Sequence, residues 1–109
     1  MAYNESLAQV IREKTEGTPG LVEKKMFGGI AFLLHGNMSV GVHKDDLIVR
    51  VGPDSHDDSL AKPHTRVFDI TGRSMKGWVM VHPEGHEDEK ALSSWIEKGL
   101  DFAATLPKK

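Results

Sequence analysis

The residues with the most chemical promise stand in the run Thr71-Gly72-Arg73-Ser74-Met75-Lys76-Gly77-Trp78. Gly72 and Gly77 have the glycine spacing of a phosphate-binding loop. The Lys-Ser/Thr pair that must follow the second glycine, to reach terminal phosphates and magnesium, is replaced by Trp78 and Val79. What remains is two cations, a hydroxyl, flexible backbone and an adjacent ring, a set that can hold an anion or stack on a base. The competing reading is a charged connection between strands with Trp78 in the core. Lys24 to Gly29 poses the same choice, since paired glycines either expose backbone N–H groups to an anion or make a β-bulge. Arg50 joins these groups if its strand pairs beside either segment. The candidate binding residues are therefore Lys25, Gly28, Gly29, Arg50, Arg73, Lys76 and Trp78.

No other chemistry is legible. His82 and His86 have the four-residue separation of two ligands on a helix face, but Pro83 and Gly85 lie between them, unsuited to a helix interior, and Pro83 occupies the glutamate place of an HExxH pattern. His35, His43, His56 and His64 fall at turns, where exposed polar histidine is the ordinary outcome. Ser39 lacks the flanking glycine spacing of a nucleophile elbow. The neighbouring carboxylates Asp45 and Asp46, and Asp57 and Asp58, suit solvated turns and helix starts better than acid/base work. Neither a catalytic residue, nor a metal ligand, nor a cofactor is expected.

Composition narrows the class of function. With 14 basic against 16 acidic side chains the formal net charge is −2, whereas proteins that hold nucleic acid by phosphate contact usually show a basic excess. Nonspecific nucleic-acid binding is disfavoured, although Lys24, Lys25, Arg50, Arg66, Arg73 and Lys76 lie between two acidic stretches and leave room for a local basic face. The absence of cysteine removes disulfides and thiolate chemistry, and points to a reducing, cytoplasmic setting. No apolar run approaches a membrane span, and no export signal is read at the N-terminus.

The elements that would position these residues follow from periodicity. Asn4 caps a first helix whose stripe is Tyr3, Leu7, Val10 and Ile11, ending near Gly17. Lys24 to Leu34 reads as one strand bent or bulged at Gly28 and Gly29. Gly36 and Asn37 return it into Ser39 to Val42, and Leu47 to Val51 follows, with Leu47, Val49 and Val51 opposite Ile48 and Arg50. Asp54 caps a short helix stopped by Lys62 and Pro63. Arg66 to Ile70 and Gly77 to His82 form a second sheet element. The last helix begins at Glu87 to Glu89 and carries the stripe Leu92, Trp95, Ile96, Gly99, Phe102, Ala103 and Leu106, with Gly99 marking close approach to the sheet. The order is α-β-β-β-α-β-β-α, an α+β fold with an antiparallel sheet packed by helices, in one domain over residues 1–109.

Lys25-Met26-Phe27-Gly28-Gly29, the Gly36-Asn37-Met38 turn, Asp46-Leu47 through Arg50-Val51-Gly52, and Gly72-Arg73 through Trp78 together carry a resemblance. From Tyr3 to Leu106 the chain resembles the N-terminal domain of the TfoX/Sxy family. The resemblance implies an α+β fold shared with secretion-chaperone-like domains, and a relation to regulators of natural competence and transcription. Longer members of that family carry a second, C-terminal domain, so this chain is expected to be a stand-alone N-terminal unit. The family supplies no catalytic residues to transfer. The expectation is a noncatalytic regulatory or protein-interaction domain, a homodimer or bound to a protein partner. The alternative is a binder of an anionic ligand or nucleic acid through the basic strand and loop residues.

Overall fold

The computed structural model describes residues 3–26, 28–69 and 75–108. Helix α1 (Glu5–Lys14) starts where the Asn4 side chain accepts the Leu7 amide hydrogen at 3.0 Å, satisfying one of the donors that every helix start leaves open. It stops before Gly17 because the Thr15 hydroxyl donates to the Ile11 carbonyl at 2.7 Å and closes the last turn. Its buried residues Leu7, Ala8 and Ile11 face the sheet core.

Six strands make one sheet: β1 (Leu21–Met26), β2 (Gly29–Leu34), β3 (Asn37–His43), β4 (Asp46–Arg50), β5 (Thr65–Val67) and β6 (Trp78–Val81). The spatial order is β1-β2-β3-β4-β6-β5, and every neighbouring pair is antiparallel. Two expectations change here. The run from Lys24 to Leu34 is a hairpin of two strands, with Met26 facing Gly29 across the reversal, rather than one bent strand. Gly28, at φ +75°, takes the left-handed turn conformation that glycine tolerates. The register shift lies further on, between Phe32 and Leu33, where the Ser39 hydroxyl donates to the Phe32 carbonyl at 2.9 Å. The two late strands also do not form a separate sheet, for β6 pairs with β4 along Leu47–Val81 to Arg50–Trp78 and carries the short β5 on its outer side.

Strand alternation divides the core. Ile30, Phe32, Val40, Val42, Leu47, Val49, Val79 and Val81 point to the helices. Ala31, Met38, Ile48 and Met80 point to the other face, where Phe68 and Met75, flanking residues 70–74, pack on them. Each fully buried side chain of this size contributes about 1.5–3 kcal/mol relative to exposure, so both faces matter.

Between β4 and β5 a 3-10 turn (Pro53–Ser55) leads into the short helix α2 (His56–Leu60), which places Asp54 inside the turn instead of at a cap. A further helix unforeseen in the sequence, α3 (Pro83–His86), follows β6. Proline is tolerated there because it occupies the first turn, where its missing N–H has no partner to lose. Helix α4 (Glu89–Ala104) is capped by Asp88, which accepts from the Ala91 amide at 3.0 Å, and it buries Leu92, Trp95, Ile96, Gly99 and Ala103 against the sheet. A Cβ on Gly99 would stand 2.5 Å from the Ser39 carbonyl oxygen, which explains glycine on the buried stripe. Among the described residues no helix is long and apolar enough to cross a membrane.

Candidate functional site

The pairing of β4 with β6 sets Arg50 opposite Trp78. The Arg50 guanidinium carbon lies 5.0 Å from the Trp78 ring centre and 5.5 Å from that of Phe102, which α4 brings across the end of the sheet. Trp78 in turn stacks on Phe68 at 5.7 Å. The planar cation is thus held by two aromatic rings, an arrangement worth roughly 0.5–2 kcal/mol per contact depending on desolvation. Among the described residues no carboxylate pairs with it, and its burial pushes its pKa down from the ordinary value. Arg50 is a half-buried cation whose guanidinium carries five N–H donors.

Gly77 anchors this cluster without binding anything itself. At φ +93° it takes a conformation that side chains disfavour, and a Cβ there would come 3.1 Å from the Gly52 carbonyl carbon. Its carbonyl accepts from the Val51 and Gly52 amides at 2.8 and 3.0 Å, and its own amide donates to His56 Nδ1 at 2.8 Å. The N–H that a phosphate-binding loop would offer is therefore already used by His56, a histidine with a structural partner and not a solvated turn residue.

The remaining candidates divide in space. Lys76 is exposed beside Gly77. Arg73 lies outside the described residues. Lys25 is in register with Ile30, Val42 and Leu47, so it sits three strands from β4, roughly 14 Å across the sheet, and on the face opposite to Arg50. Gly28 and Gly29 form the hairpin end at the far edge, where a Cβ on Gly29 would collide with the Val42 carbonyl oxygen. The structure brings Arg50 and Trp78 together, with Lys76 adjoining in sequence, and leaves Lys25, Gly28 and Gly29 apart from them.

The histidines find specific places. His82 Nδ1 lies 2.9 Å from Asp46 Oδ1, and His86 Nε2 lies 3.0 Å from the Asp45 carbonyl oxygen, so the two histidines use separate partners. His43 is half-buried, and its pKa is lowered first by that burial and then by the charges of Lys44 and Arg66, against a raising effect of Asp46. No group of three or more His, Asp or Glu side chains among the described residues could hold a metal ion.

One grouping escaped sequence reasoning. Lys62, after α2, and Lys98, on α4, each place their ammonium over the Trp95 ring, at 5.4 and 5.6 Å from its centre. The Trp95–Lys98 spacing on a helix is a readable signal. The arrival of Lys62 depends on tertiary packing and is not.

The model of the TfoX N-terminal domain matches residues 13–103. The chain belongs to the TfoX N-terminal domain family. The match runs from the last turn of α1 almost to the end of α4 and takes in the whole sheet of this TfoX N-terminal domain. No curated protein and no solved structure matched the chain.

Proposed function

We propose that this TfoX N-terminal domain is a noncatalytic regulatory module that works through protein contact, and that its contact edge is β1. The observation that carries the reading is the exposure of β1. It is the outermost strand on its side of the sheet, five of its six residues are exposed, and Val22 and Met26 are 58% and 38% accessible. An open strand edge presents unpaired backbone groups to another chain, and exposed apolar side chains on one face add to the tendency.

The partner we favour is a second copy. In an antiparallel pairing about a twofold axis normal to the sheet, Lys24 faces its own counterpart, Glu23 faces the second copy's Lys25, and Val22 faces the second copy's Met26. Two opposite-charge pairs and two apolar pairs flank one like-charge pair. The Arg12–Glu23 ion pair, at 2.7 Å, lies beside this edge and holds Glu23 in place. Sedimentation equilibrium tests the pairing. Glu23→Lys is expected to shift the mass toward monomer, and Glu23→Lys combined with Lys25→Glu to restore the dimer. A monomeric mass for the unaltered protein at high concentration rejects the second copy as partner.

A second reading, an anion binder, is favoured by one observation: Arg50 lies over the rings of Trp78 and Phe102, and among the described residues no carboxylate pairs with it. Titration with RNA, DNA and nucleotides checks it through the Trp78 indole resonance. Binding that disappears with salt and with Arg50→Ala supports it, and an unmoved indole signal excludes it.

A further inference from the structure

A cleft of about 320 Å³ opens between the turn that follows α2 and the first half of α4. Its lining includes Lys62, Pro63, His64, Ser94, Trp95 and Lys98, and no carboxylate. Both ammonium groups converge on the Trp95 ring, and neither is in an ion pair among the described residues. Two like charges over one ring repel each other, and the ring offsets only part of that repulsion. A doubly charged anion held by both would offset it.

The cleft is held in shape by its backbone. The Thr65 hydroxyl points at the Lys62 carbonyl at 2.7 Å, and the His64 carbonyl accepts from the His82 amide at 2.8 Å. His64 itself sits at φ +65°, a left-handed conformation uncommon outside glycine. Gly85 permits this close fit, since a Cβ there would lie 3.1 Å from His64 Cβ and 2.7 Å from Val81 Cγ1. Backbone strain of this kind persists where surrounding contacts enforce it, and often at binding sites.

We propose that this cleft binds the phosphoryl group of a small phosphate monoester, with Lys62 and Lys98 as its cations and the Ser94 hydroxyl and His64 imidazole as further hydrogen-bonding groups. The two charges are lysine ammoniums, compact point charges suited to phosphate oxygens from separate sides; planar carboxylates are better matched by the fork of arginine. Pro63, Ala91 and Trp95 supply apolar wall for the organic part, and the volume lies at the small end of ligand sites. The site shares no residue with β1 or with the Arg50, Trp78 and Phe102 cluster.

The test titrates the full chain with phenyl phosphate, inorganic phosphate, succinate and, at matched ionic strength, sodium chloride, following backbone amide shifts and Trp95 fluorescence. Saturable shifts at His64, Ala91, Ser94 and Lys98 are expected with both phosphates, the phenyl ester binding more tightly. The double variant Lys62→Gln/Lys98→Gln should weaken phenyl phosphate at least tenfold. Lys62→Gln alone, at an exposed position, should weaken it severalfold while the amide spectrum away from the cleft stays that of the folded wild type. Shifts that sodium chloride reproduces, succinate binding more tightly than phenyl phosphate, or wild-type affinity in the Lys62→Gln variant would each overturn the proposal.

Discussion

Replacing Gly99 by alanine separates two physical effects of opposite sign. In an exposed helix the change would stabilise by about 1 kcal/mol, because glycine carries the larger backbone entropy cost. Here the new Cβ meets the Ser39 carbonyl oxygen at 2.5 Å, Val40 Cγ1 at 2.7 Å and the Ser39 carbonyl carbon at 3.1 Å. Ordinary contact begins near 3.4 Å, so α4 has to lift from β3 by roughly 1 Å, loosening the Trp95 and Ile96 contacts on the same stripe. Overpacking of this kind costs about 1–3 kcal/mol, and the lost helix packing adds to it. The expected net effect is a destabilisation of about 1–2 kcal/mol, a fall in melting temperature of about 4–8 °C for each kcal/mol in a domain of this size. Urea unfolding of Gly99→Ala beside the exposed control Ser94→Ala measures it. Since the nearest atom is backbone, trimming Val40 to alanine in the same chain should give no rescue. A Gly99→Ala protein more stable than wild type would refute the close packing of α4 on β3.

Other expectations follow from single contacts. Arg50→Ala should destabilise by about 1–2 kcal/mol and move the Trp78 emission, with Arg50→Lys keeping part of the stability, as measured by urea titration and fluorescence. His43 has a folded-state pKa below its ordinary value of 6.5, so the unfolded chain binds the proton first as pH falls. Stability should therefore drop as pH is lowered through 6.5 and level off below the folded pKa, with a shallower slope in His43→Gln, read from urea midpoints across pH 5 to 8. Asp88→Ala removes the acceptor of the Ala91 amide and should cost about 1 kcal/mol by the same assay.

The parts of this fold legible in the sequence are those governed by neighbours along the chain. Asn4 as a cap, Leu47, Val49 and Val51 opposite Ile48 and Arg50, and Gly99 on a buried stripe all follow from local period and residue type. The hairpin at Gly28 reads from the sequence as a bend or bulge in one strand, because paired glycines suit a bulge as well as a reversal, and only the β1–β2 register distinguishes them. Insertion of β6 between β4 and β5 is a pairing between distant segments, which no local pattern encodes. The same limit applies to the candidate site. Arg50 and Trp78 are each readable as candidates from residue type, but their contact, with Phe102 as the second ring, exists only once β4, β6 and α4 are assembled.

Contact through the β1 edge is best tested by amide hydrogen exchange of residues 21–26 over a range of protein concentration from micromolar to millimolar. Protection that rises with concentration in this strand, and is lost in Glu23→Lys, is the predicted result. Exchange in β1 that stays rapid and independent of concentration would contradict it.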